Sequence, residues 1–155
     1  MHYFLYFCTY SFLGWIIDTT YRSFLAQDLI FGGWFISLQI PVPIAPVYGF
    51  GALALILLLP LVKRMPAILM GVVPGLIFTL VEYISGAFTL AIFGRRAWDY
   101  SASMYHLHGH IDLLHTSFWV LLGYIFMIII HPIVVKSLHQ EYYQVTDRHV
   151  TKMYM

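Results

Sequence analysis

Asp18, Arg22, Glu82, Asp99, Asp112 and a run of histidines are the side chains of this sequence best equipped for chemistry, because each interrupts or borders a long apolar stretch. An ionised group in hydrocarbon costs about 2.5–3.5 kcal/mol on insertion scales, so such residues face one another, a wet cavity or a functional partner. Glu82 is the most demanding, being the sole charge between Pro66 and Phe93. It reads structurally as a protonated or hydrogen-bonded carboxyl, and functionally as a ligand, proton or partner-charge site. Thr79, Glu82, Ser85 or Gly86, and Thr89 recur at helical spacing and form one polar stripe. Ser11, Trp15, Asp18 and Arg22 form another, with the acid N-terminal to the base at i, i+4. An ion pair at a membrane boundary, with Arg22 reaching outward, is the plain structural reading of the second stripe.

The stretch from His106 to His115 holds four of the eight histidines. On a helix, His108, Asp112 and His115 share a face, and two imidazoles with a carboxylate are a donor set for Zn²⁺ or Fe²⁺. The spacing does not follow HExxH. The same side chains can instead form an interfacial hydrogen-bond cluster that titrates near neutral pH. No other cofactor is implied.

These residues need elements to carry them, and composition says what kind. The chain has 155 residues, 61% hydrophobic and 10% charged, with a mean hydropathy of +0.79. A soluble domain carries about 25% charged residues, so this chain is expected to lie in a lipid bilayer. The expected fold is all-α: a polytopic membrane protein built as a bundle of about four transmembrane helices, near residues 3–25, 46–62, 66–93 and 110–135. Residues 1–135 form a single transmembrane domain and 136–155 a polar cytoplasmic tail. The second segment is short for a span of about 20 residues. Pro41, Pro43 and Pro46 favour extended backbone before it. Pro74-Gly75 should kink the third helix, where Gly71 and Gly75 offer a small-residue packing face. Phe31-Gly32-Gly33-Trp34-Phe35 reads as a tight interfacial turn.

A net charge of +1 gives no basic footprint for nucleic acid. The single cysteine, Cys8, has no internal partner. No Lys or Arg precedes the first apolar stretch, so the first helix is expected to insert uncleaved. With four spans, Lys63, Arg64, Lys136, Arg148 and Lys152 share the side of the termini, against Arg22, Arg95 and Arg96 opposite. Basic residues collect on the cytoplasmic side, which places both termini in the cytoplasm. The polar residues then gather toward the other face.

Phe12-Leu13-Gly14-Trp15-Ile16-Ile17-Asp18, Pro43-Ile44-Ala45-Pro46-Val47-Tyr48-Gly49-Phe50-Gly51, Val81-Glu82-Tyr83 and Phe93-Gly94-Arg95-Arg96-Ala97-Trp98-Asp99-Tyr100-Ser101 carry a resemblance. Over roughly residues 4–123 the chain resembles the bacterial CmpB-like family, named for a proposed role as ABC-transporter permeases of type IV; animal transmembrane proteins 229 look related to it. The resemblance marks Asp18 (usually Glu in the family), Tyr48, Glu82, Trp98, Asp99 and Tyr100 as polar site positions. Two departures stand out. An Asn-Arg-Gly-Phe-Leu-like stretch of the family is Phe31-Gly32-Gly33-Trp34-Phe35 here. Its Asn-x-x-Gly-Arg-x-Cys-Leu is His106-Leu107-His108-Gly109-His110-Ile111-Asp112-Leu113, so His110 replaces a fixed positive charge and Asp112 a cysteine. His110 would supply that charge only when protonated, making the cavity sensitive to pH between about 5.5 and 7.5.

The resemblance implies a transport subunit of the bacterial inner membrane with a polar cavity near the non-cytoplasmic face, lined by Asp18, Arg22, Tyr48, Glu82, Trp98, Asp99, Tyr100 and His110. The sequence holds no GxxxxGK[ST], so an ABC-type activity needs a separate ATPase subunit, and one small chain would act as a homo-oligomer or within a complex. The second reading is a small intramembrane metal- or carboxylate-dependent enzyme, although no catalytic residue can be named. The third is an accessory subunit whose charges pair with another membrane protein.

Overall fold

The structure, a computed structural model, describes residues 2–27 and 43–138. The expected turn at residues 31–35, Pro41 and the tail beyond Leu138 lie outside the described residues. Within them the fold is all-α with a single two-stranded hairpin: α1 (His2–Ala26), α2 (Pro46–Val62), α3 (Leu69–Phe93), β1 (His106–Leu107), β2 (Ile111–Asp112) and α4 (Leu113–Ile125). Beyond α4 the chain passes through a π-helical stretch, Phe126–Ile130, and on to Leu138 as one apolar rod.

Local chemistry sets the boundaries. Gln27, at φ 52, turns the chain out of α1. Pro46 opens α2, where its missing N–H is no loss. Gly94, at φ 66, ends α3 in the left-handed conformation, its N–H bonded to the Leu90 carbonyl. Asp112 caps α4 by accepting from the His115 N–H at 2.7 Å. Two boundaries differ from the sequence reading. The third helix begins at Leu69 rather than Pro66, after a turn closed by the Leu69 N–H on the Pro66 carbonyl. The fourth begins at Leu113 rather than residue 110, because His108 and Gly109 take left-handed backbone at φ 54 and 70. That conformation turns the chain between β1 and β2, pairing His106 with Asp112.

Each helix packs antiparallel on the next, and glycines set the crossings. A Cβ on Gly14 of α1 would overlap the Tyr48 ring of α2, and one on Gly49 of α2 would overlap Ser11 of α1. Gly75 of α3 faces the Val120 backbone, where a Cβ would come within 2.5 Å of the Val120 Cα. Pro74 beside it meets Gly123 of α4, so the Pro-Gly step marks the α3–α4 contact. The core between helices is Tyr10, Ala52, Leu55, Phe78, Trp119 and Phe126. The π-helical stretch precedes Pro132, which has no N–H to donate and whose ring crowds the turn before it.

Much of the outer surface is apolar as well. Leu76, Leu80, Ile84, Phe88 and Ile92 form an exposed stripe at steps of four along α3. Leu69–Phe93 and Leu113–Leu138 are long and apolar enough to cross a membrane, yet only 22% and 28% of their apolar windows are buried. A core helix of a soluble protein would be mostly covered. α2, with 17 residues, measures about 26 Å at 1.5 Å per residue, short of a hydrocarbon core of about 30 Å.

Candidate functional site

Glu82 lies one turn beyond Phe78 on α3, on the face turned to α4, and is 5% exposed. Both carboxylate oxygens are engaged. Oε2 accepts from the Trp119 indole N–H at 2.7 Å, and Oε1 from the Tyr100 hydroxyl at 3.0 Å. Hydrogen bonds to a charged acceptor are the stronger kind, about 1.5–3 kcal/mol each. Trp119 belongs to α4 and Tyr100 to the loop after α3, so the carboxylate ties three segments together.

Tyr100 leads to a second group. Its ring stacks on His115 with centroids 4.1 Å apart. His115 Nδ1 lies 2.8 Å from Asp112 Oδ1, and its Nε2 lies 3.2 Å from the Tyr21 hydroxyl of α1. The carboxylate fixes the proton of a neutral imidazole on Nδ1, leaving Nε2 to accept from Tyr21. Such an arrangement can hold or pass a proton at Nε2 without moving a heavy atom. Asp112 is 3% exposed. Burial pushes its carboxyl up, but the Ser103 hydroxyl and the His115 bonds outweigh that and hold it below the usual carboxylate range. Its Oδ2 is buried without a hydrogen-bond partner among the described residues. Burial, and then the neighbouring Glu82 carboxylate, push the Tyr100 phenol far above its ordinary range, so it stays a donor.

A third group is built from the loop and the hairpin. Arg96 Nη1 donates to the His108 carbonyl at 2.6 Å and reaches His110 Nδ1 at 3.5 Å, while its Nε lies 3.8 Å from Asp99. The Trp98 indole donates to the His110 carbonyl at 2.8 Å. The Ser101 backbone N–H on Asp99, helped by Arg96, holds that carboxyl below its usual range. His110 is packed against Gly86 of α3 and edge-on to Tyr83 at 5.6 Å. Burial, reinforced by the Arg96 guanidinium, holds its imidazole below the ordinary histidine range. The guanidinium of Arg96, beside the ring, favours its neutral form.

The expected side chains therefore gather at one end of the bundle, in adjoining groups. Tyr48 joins the Glu82 group: its ring lies 5.2 Å from Trp119, and its hydroxyl sits in the field of Asp18, Glu82 and Arg22. Arg22 Nε pairs with Asp18 Oδ2 at 2.9 Å on the partly exposed edge of α1. Trp98, Asp99 and His110 form the outer group with Arg96. The metal expectation rested on a helical register from His108 through His115, which the hairpin breaks. His108 turns its Nδ1 to the Tyr83 hydroxyl at 2.9 Å, away from Asp112 and His115. Among the described residues, no group of three or more His, Cys, Asp or Glu side chains is placed to hold a metal.

Two central residues escaped the sequence reading. Trp119 lay unnoticed in the apolar run of the fourth helix, and Tyr21 between Asp18 and Arg22. A signal for Trp119 existed: a buried indole N–H needs an acceptor, and Glu82 was the carboxylate in need of donors.

Residues 5–155 match the sequence profile of the CmpB family, described as "Putative ABC-transporter type IV". No curated protein and no solved structure matches the chain.

Proposed function

The chain belongs to this CmpB family of ABC-transporter type, and from that premise we propose that it is a membrane-embedded transport subunit working with a separate ATPase. In this reading all four helices cross a bacterial inner membrane, both termini lie in the cytoplasm, and the polar groups around Glu82 serve the substrate from the non-cytoplasmic side. The observation that carries it is the Glu82 carboxylate, buried in an apolar bundle and bonded to Trp119 and Tyr100. Intramembrane carboxylates are costly, and those that persist mark ligand or ion sites as a rule. The exposed apolar faces of α3 and α4 support burial in lipid, and the excess of basic residues on the side of the termini supports the orientation. The sequence carries no phosphate-binding loop of its own, so nucleotide hydrolysis falls to a partner.

Purification of the tagged chain from its native membrane in a mild detergent tests this. The expected result is co-purification of a nucleotide-binding ATPase in a fixed ratio. Recovery of the chain without any ATPase overturns the reading, and a stoichiometric metal in such a preparation would turn attention to the intramembrane-enzyme alternative.

A further inference from the structure

A groove of about 480 Å³ runs between α1 and the apolar rod beyond α4, remote from the Glu82 site. We propose that it holds one acyl chain of an anionic phospholipid, with the phosphate at Thr9, Ser137 and Lys136. The inference rests on the membrane-spanning part of the reading above, and it assigns the groove a ligand that the transport activity does not require.

The walls are hydrocarbon: Leu13 and Ile16 on α1 face Ile130 and Ile133 across the gap. Ile16 and Ile133 are also exposed on the outer surface, so the groove opens sideways, where lipid tails would stand. The Tyr10 hydroxyl bonds His131 Nδ1 at 2.7 Å in the buried wall behind it. Two long side chains meeting end to end thus span the space between α1 and the rod beyond α4.

Size and polarity identify the occupant. The groove spans residues 9–17 of α1 and 129–137 of the rod that continues α4, about 12 Å at 1.5 Å per residue. An extended acyl chain is thin enough to lie along a slot of that length. On each wall the lining residue nearest the chain termini carries a hydroxyl, Thr9 on α1 and Ser137 on the α4 rod. Lys136, the residue before Ser137, is exposed. An apolar slot ending in two hydroxyls, with an exposed lysine next to one of them in the chain, complements a lipid phosphate that carries a negative charge.

The test uses the full chain reconstituted in nanodiscs of equal parts phosphatidylglycerol and phosphatidylcholine, re-extracted in detergent and weighed by native mass spectrometry. Wild type should retain one phospholipid per chain, favouring phosphatidylglycerol by about fivefold, the ratio that roughly 1 kcal/mol per basic residue gives. Ile133→Trp and Ile16→Trp, which fill the slot from its open side, should each lose bound lipid of both kinds. Lys136→Gln, which leaves the walls untouched, should keep the lipid and lose the preference. Retention of no lipid by wild type overturns the proposal, as does equal retention of the two lipids or full retention by both tryptophan variants. ATPase co-purification is read separately: lipid retained without an ATPase upholds the groove and sinks the transport reading, and the converse result does the reverse.

Discussion

Glu82 is held by donors from two separate segments, so each donor can be removed alone. Trp119→Phe leaves Oε2 buried and unpaired, which costs about 1–3 kcal/mol, and should lower the unfolding midpoint measured in detergent. Tyr100→Phe should cost less, because its bond is longer and less buried, at 3.0 Å against 2.7 Å. Equal midpoints for wild type and both variants would mean that neither donor holds the carboxylate. His110 gives a pH prediction of definite sign. Its folded imidazole titrates below its ordinary value, so the unfolded chain binds more protons as pH falls through about 6.5, and stability falls with it. The groups facing the ring are Arg96, Asp99, His108 and Tyr83, and the guanidinium outweighs the carboxylate. Between pH 7.5 and 5.5, wild type should lose more stability than His110→Gln in denaturant titrations; parallel losses would discount His110. At this scale the sequence was legible wherever a lone charge interrupted an apolar run, as with Asp18, Arg22 and Glu82. It was silent on Tyr21, and for Trp119 it offered only an indole in need of an acceptor; both roles appear when distant segments meet.

Elements were legible where local chemistry punctuates them. Pro46 marks the start of α2 and Gly94 the end of α3, both where the sequence reading put them. The hairpin was not legible, because His106–Asp112 fits a helical face as well as it fits a turn, and His108 is a rare non-glycine residue with positive φ. Glycine positions separate two kinds of constraint. A Cβ on Gly75 would meet the Val120 Cα at 2.5 Å and N at 2.7 Å, and backbone cannot swing aside. Gly75→Ala should therefore cost about 1–3 kcal/mol by overpacking and, by pushing α4 outward, should alter the fluorescence of Trp119. Gly94 has open space around it but sits at φ 66. Gly94→Ala should cost only the left-handed penalty of about 1–2 kcal/mol and leave Trp119 undisturbed. An identical spectral change in both variants would contradict this division.

For the molecule as a whole, the proposed orientation puts the α2–α3 turn and the α3–α4 loop on opposite sides of the membrane. In a Cys8→Ser chain, Arg64→Cys should react with an impermeant maleimide only from the cytoplasmic side and Ala102→Cys only from the other. Labelling of both from one side would end the four-span reading. Composition pointed toward a membrane, and two helices, Leu69–Phe93 and Leu113–Leu138, are long and apolar enough to cross one. Which helices cross was less legible, because α2 is short and α1 carries Asp18 and Arg22. The placement of Glu82 also bears on how the chain is made. Both of its donors, Tyr100 and Trp119, are synthesised after it, so α3 leaves the ribosome as an incomplete unit. Released alone into lipid it would carry an unsatisfied carboxyl, at about 2.5–3.5 kcal/mol on insertion scales. On the proposed membrane reading, α3 is therefore best retained in the insertion machinery until α4 emerges, so that the two helices enter the bilayer as a pair with the carboxyl already bonded to its donors.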